Sequence, residues 1–203
     1  MPTTVQELFS KFDIWDFQKV QWGANFKENK QGVYVVSTSS DPNKHLGISE
    51  NPNFDEQQIQ LWINKVEDFL VDNNPATLTN VKNRLAEFWL PDESILYIGK
   101  ASTRKNGSGI SKRIREYFST TIGDGGPHSG GQWVKSLANL NTLTVYYGVC
   151  DDPNEIEVQM LQFFMCNVSK TTLEGLYDKR LPIPFANIKV TRNKSHGFKN
   201  QRL

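Results

Sequence analysis

A chain of 203 residues, 37% of them hydrophobic, is long enough to bury a full core, either as one elaborated domain or as two small ones. No apolar run is long enough to cross a bilayer, and the polar, amphipathic N-terminus lacks the apolar stretch of a secretory signal, so the expectation is a cytoplasmic protein with no membrane segment. The formal net charge of +1 conceals a division: residues 1–94 carry 8 basic and 14 acidic side chains, residues 95–203 carry 15 and 8. The last fifteen residues hold Lys189, Arg192, Lys194, Lys199 and Arg202 and no acid, so a polyanion is expected to meet the C-terminal half. The two cysteines, Cys150 and Cys166, follow apolar runs and read as buried free thiols. With three scattered histidines they give no zinc-site spacing.

Thr4-Val5-Gln6-Glu7 has the form of a capping box and opens a short helix with Val5, Leu8, Phe9 and Phe12. Gly32-Val33-Tyr34-Val35-Val36 is rich in β-branched residues and reads as a core strand; polar residues 38–53 follow as a loop. Asn53-Phe54-Asp55-Glu56 resembles a second capping box, and Ile59, Trp62, Ile63, Val66, Phe69 and Leu70 then recur at helical spacing. Another helix carries Leu78, Val81, Leu85 and Phe88 on one stripe.

Ser94-Ile95-Leu96-Tyr97-Ile98-Gly99 is again a strand. A glycine-rich stretch then leads into a helix with Ile110, Ile114 and Phe118. The passage Gly123–Gly131 contains five glycines and His128 and precedes a short helix around Trp133–Leu137. Thr142–Val149 alternates as a strand. Asp152, Pro153 and Glu155 are a helix start with N-cap, N1 and N3 filled, and that helix runs to about Val168. The pattern predicts an α+β fold: a small three-stranded antiparallel sheet, with strands near 33, 97 and 146, flanked by helices. The core covers about 20–39 and 94–190, with an acidic helical insertion over 40–93 and a basic tail over 191–203.

Several side chains carry chemistry. A free phenol has a pKa of about 10, so Tyr34 or Tyr97 becomes a base only where cations stabilise the phenolate; Lys100 supplies one if the two strands pair. Arg113, in Ser111-Lys112-Arg113-Ile114, offers a permanent charge able to grip two phosphate oxygens, and Arg115 is the fallback if the register shifts. Glu157 borders the apolar series Met160, Leu161 and Phe164, where a carboxylate is costly unless paired with a cation. Mg²⁺ (or Mn²⁺) favours one or two carboxylates completed by waters and phosphate oxygens. Asn187, after Pro184-Phe185-Ala186, either ties that loop to the sheet or touches phosphate. Exposed glycine amides near His128 suit an anion. Gly99-Lys100 lacks the glycine and Ser/Thr pattern of a P-loop.

Gly32-Val33-Tyr34, Tyr97-Ile98-Gly99, Arg113-Ile114, Glu157 and Asn187, in that order, resemble the GIY-YIG nuclease superfamily over residues 32–36 and 95–187. The 62 residues between the tyrosines depart from its compact pattern. The resemblance implies a Mg²⁺-dependent DNA endonuclease, of a free-standing restriction type: Tyr34 takes a proton from attacking water, Tyr97 and Lys100 tune it, Arg113 steadies the phosphorane and Glu157 holds the metal. Arg115, His128, Asn187, Lys189, Arg192 and Lys194 would face DNA, and cutting both strands would call for a homodimer or sequential nicking. Alternatives are a non-catalytic DNA-binding module of the same fold, a repair, recombination or mobile-element nuclease, and a small-molecule enzyme built on the glycine-rich loop.

Overall fold

The structure, a computed structural model, describes residues 2–103, 109–124, 131–190 and 196–198. Helix α1 (Val5–Ser10) starts as its capping box dictates: Thr4 Oγ1 accepts the Glu7 N–H at 3.1 Å and the Glu7 carboxylate accepts the Thr4 N–H at 2.8 Å. There follow β1 (Gln18–Gln21), β2 (Gly32–Ser37), α2 (Glu56–Lys65), β3 (Leu70–Val71), β4 (Asn74–Pro75) and α3 (Leu78–Ala86). The second half runs β5 (Ile95–Ala101), α4 (Ile110–Ser119), α5 (Gly131–Lys135), a 3₁₀ turn at Leu140–Thr142, β6 (Thr144–Val149), α6 (Pro153–Asn167) and α7 (Lys170–Gly175). Asp152 caps α6 by accepting from the Asn154 and Glu155 amides, with Pro153 at the first helical position.

The fold is α+β, but its main sheet has four strands, all antiparallel, in the order β1-β6-β2-β5. The expected three-stranded sheet lacked β1. Gln18-Lys19-Val20-Gln21 lies at the sheet edge with only Val20 half-buried, so the alternation of apolar side chains that marks a strand never forms in its sequence. β2 is central and wholly buried, and register places Tyr34 between Gly99 of β5 and Tyr147 of β6.

Two apolar layers cover the sheet. Val33, Val35, Ile98 and Tyr146 face α1 and α6, meeting Leu8, Phe9, Met160, Leu161 and Phe164. Tyr34, Val36 and Val145 face α4 and α5, in one continuous core with Ile59, Trp62, Val81, Leu85 and Phe88 of the segment 40–93. That insertion therefore shares the central core instead of building its own. It also holds the β3–β4 hairpin, turned on Asp72 and Asn73 at φ 51° and 65°, a pair of left-handed residues that suits a two-residue loop. The helical stripe expected to reach Leu70 stops at Lys65, because Val66 turns extended and Asp68 takes φ 51°. The C-terminal segment straps the insertion down. The Phe198 ring packs edge-on to Trp62 and Phe69, Asp72 N–H donates to Phe198 O at 2.8 Å, and the buried His196 ring stacks on Phe88. Cys150 is half-buried as a free thiol, whereas Cys166, expected to be buried, is exposed because its position on α6 turns away from the sheet. Among the described residues no helix is long and apolar enough to cross a membrane.

One contact finishes the sheet. β5 has β2 on one side, and on the other the loop after Ile183 runs alongside it. Ala186 N–H donates to Leu96 O at 2.8 Å. The Asn187 side chain accepts from Ile98 N at 2.9 Å and donates to Ile98 O at 2.8 Å, so a side-chain amide does the work of a neighbouring strand's backbone. Asn187→Ala leaves both buried Ile98 groups without a partner and is expected to lower stability by about 2–4 kcal/mol, read as a shifted denaturant midpoint. A change below about 0.5 kcal/mol would show that the edge is held by something else.

Candidate active site

β5 lies at one end of the sheet order, and side chains from both faces gather around it. On the α4 side three tyrosines meet. The Tyr34 and Tyr97 ring centroids are 5.8 Å apart, Tyr97 and Tyr117 5.2 Å, and Tyr34 and Tyr117 6.2 Å. The first two stand on paired strands; the third comes from α4. Gly99 makes the room: a Cβ there would lie 2.5 Å from the Tyr97 ring, 2.8 Å from Tyr34 Cζ and 2.9 Å from the Tyr34 hydroxyl. The glycine of the second motif is thus the space into which the tyrosine of the first motif fits.

Tyr34 is wholly buried, and its hydroxyl sits beside that of Tyr97 short of a regular hydrogen bond. Burial pushes its pKa well above the ordinary phenol value; Tyr97 adds to this and Arg113 opposes it. Tyr97 is pushed up to about 12, first by burial and then by the Glu157 carboxylate, and burial also raises Tyr117. All three are therefore protonated at neutral pH.

On the other face Lys100 leaves β5 toward α6, where its Nζ lies 2.8 Å from Glu157 Oε2. Burial raises the Glu157 carboxyl above its usual range, while Lys100, then Arg113 and Lys189, pull it down. Arg113 rises from α4 one turn before Tyr117, its guanidinium 3.7 Å from Glu116 and near enough to act on Tyr34, Tyr97 and Glu157 alike. Lys189 is carried there by the loop that Asn187 fixes to β5. Among the described residues three cations thus stand near two carboxylates, a balance that attracts an anion.

The structure brings together Tyr34, Tyr97, Lys100, Arg113 and Glu157, drawn from β2, β5, α4 and α6, and it adds Lys189. Arg115 points away from this cluster as an exposed residue of α4. Asn187, expected at a DNA surface, is buried with both ends of its amide committed to Ile98, because an otherwise open strand edge must be satisfied. His128, Arg192 and Lys194 lie outside the described residues. Tyr117 escaped sequence reasoning, though its place four residues after Arg113 puts both on one face of a helix.

Among the described residues no three His, Cys, Asp or Glu side chains are grouped to hold a metal ion. Glu157 is a single partly buried carboxylate in a cationic setting, which fits Mg²⁺ only where substrate phosphate and water fill the remaining positions. Compared with protein-family models, curated proteins and solved structures, the chain matches none.

Gly99→Ala forces a methyl group into the tyrosine pair and is expected to cost about 1–3 kcal/mol by overpacking, measured by denaturant unfolding. Pairing it with Tyr34→Phe, which removes the hydroxyl at 2.9 Å, should recover part of that loss.

Proposed function

We propose that the chain is a Mg²⁺-dependent phosphodiester hydrolase acting on DNA, an endonuclease of the GIY-YIG kind and most simply one of restriction type. What carries the reading is the convergence, from four separated chain segments, of a buried tyrosine pair with an arginine and a lysine–glutamate ion pair in a net cationic setting. Arg113 and Lys189 would receive the phosphate, the guanidinium strengthening its hold as charge grows on the phosphorane. Lys100, released from Glu157, would join them. Glu157 would hold the divalent ion, which when bound polarises the phosphate and its attacking water.

Burial refines the tyrosine roles. Water does not reach Tyr34 directly, since its side chain is fully covered. Tyr97 is the partly exposed tyrosine of the pair and borders Glu157, so it is the group that meets the nucleophile, with the Tyr34 ring packed behind it. A phenol with a pKa near 12 is the active base only as phenolate. Within this reading cleavage quickens as pH rises, by up to about tenfold per unit while the phenol remains mostly protonated. The rise ends where the substrate and metal charges have lowered the phenol's pKa.

Supercoiled plasmid incubated with the protein should be nicked or linearised with Mg²⁺ and left intact with EDTA. Glu157→Gln and Tyr97→Phe are each expected to slow cutting by about a hundred- to ten-thousand-fold. Tyr97→Phe should also flatten the pH–rate profile. Wild-type activity in Glu157→Gln would remove that residue from the mechanism. The full covering of Tyr34 also favours a second reading, a DNA-binding module without turnover. Salt-sensitive DNA binding with no cleavage of supercoiled, relaxed or single-stranded substrate would establish that reading instead.

A further inference from the structure

A lysine that the proposed activity does not use lies at the end of α5. Lys135 is only 7% exposed, and among the described residues its ammonium has no hydrogen-bond acceptor. Asp124 is the carboxylate whose charge reaches it, and that carboxylate is already held by Lys65 at 2.5 Å. A buried ammonium without an acceptor opposes folding, and groups of this kind persist where a ligand completes them.

Lys135 lines an open cavity of about 460 Å³ between β1, the start of α2, the end of α4 and the 3₁₀ turn. Trp22, Phe118, Ile122 and Leu140 give it an apolar wall, and the residues Thr120 and Thr121 stand at the polar side. The one carboxylate lining it, Asp55, spends its Oδ1 on the Gln57 and Gln58 amides as the cap of α2. The cavity therefore sets an ammonium that lacks a hydrogen-bond acceptor beside an aromatic surface, with the Asp55 carboxylate held at the α2 cap.

We propose that this cavity binds a small organic oxyanion, with Lys135 taking its phosphate or carboxylate group and the wall around Trp22 and Phe118 taking its planar or apolar body. The site is separate from the Lys100–Glu157 pair and does not depend on the nuclease reading. Trp22 does join the two regions, its ring lying 5.1 Å from Tyr117 of the tyrosine trio.

Thermal unfolding tests it with four probes: inorganic phosphate, phenyl phosphate, benzoate and thymidine 5′-monophosphate, each at neutral pH and constant ionic strength. Phenyl phosphate, benzoate or the nucleotide is expected to raise the wild-type midpoint by about 3–5 °C at ten times its Kd, and inorganic phosphate by less. A larger rise with the nucleotide than with phenyl phosphate assigns the anion to a nucleotide; parity assigns it to a simple aromatic anion. Lys135→Met should begin with a higher midpoint, having lost an unpaired buried charge, and should not respond. Lys135→Arg keeps the charge and should retain part of the response, while exposed Lys179→Met should behave as wild type. No response from the wild type to any probe, or an equal response in Lys135→Met, would overturn the site.

Discussion

β5 has only one neighbouring strand, and the site depends on how its other edge is closed. An open edge would leave backbone donors and acceptors facing either solvent or another chain. Here the 183–188 loop supplies the missing partner, with the Ala186 amide bonding Leu96 and both ends of the Asn187 amide bonding Ile98. The same contact fixes where the chain goes next, and Lys189 is thereby placed within electrostatic reach of Glu157. A single asparagine thus links sheet closure to site charge.

The second constraint is steric. A central strand buried on both faces has no space for a tyrosine ring unless the opposite strand gives way, and Gly99 gives way directly across from Tyr34. Removing the phenols from water makes their ionisation costly, while Arg113 opposes that cost without cancelling it. The phenols' protonation states would accordingly respond to any ion that came to rest beside them.

Sequence patterns revealed most of this framework. The capping signals at Thr4 and Asp152 located α1 and α6, and the apolar, β-rich runs of β2, β5 and β6 located strands that two core layers bury on both faces. β1 was illegible because an exposed edge strand of Gln, Lys and Gln carries no such apolar run. The β3–β4 hairpin was hidden by its two-residue strands, and its Asp72-Asn73 turn was masked by an apolar series that continued the helical spacing of α2. The candidate residues were legible by type and order, but their partners were not. Lys100 was read as a cation for a tyrosine phenolate and pairs with Glu157, and of the two roles open to Asn187 the structure shows the tie between its loop and the sheet. Pairing depends on which face of a strand meets which helix, and that is settled only by packing.

The Lys100–Glu157 pair sets a condition on any phosphate chemistry at this edge. At 2.8 Å and only partly exposed, it satisfies two groups that burial would otherwise penalise, so neither is idle in the unliganded chain. A lysine that answers a carboxylate is unavailable to a phosphate, and a carboxylate that answers a lysine is a weaker ligand for a cation. Under the proposed activity the substrate must therefore exchange this contact for its own, drawing Lys100 toward phosphate and freeing Glu157. Arg113 and Lys189 keep that exchange from stranding a buried negative charge, since both already act on Glu157. Under that proposal the ion pair would serve as a resting state that an arriving phosphate replaces, and it would give a use to three cations where one would neutralise the glutamate.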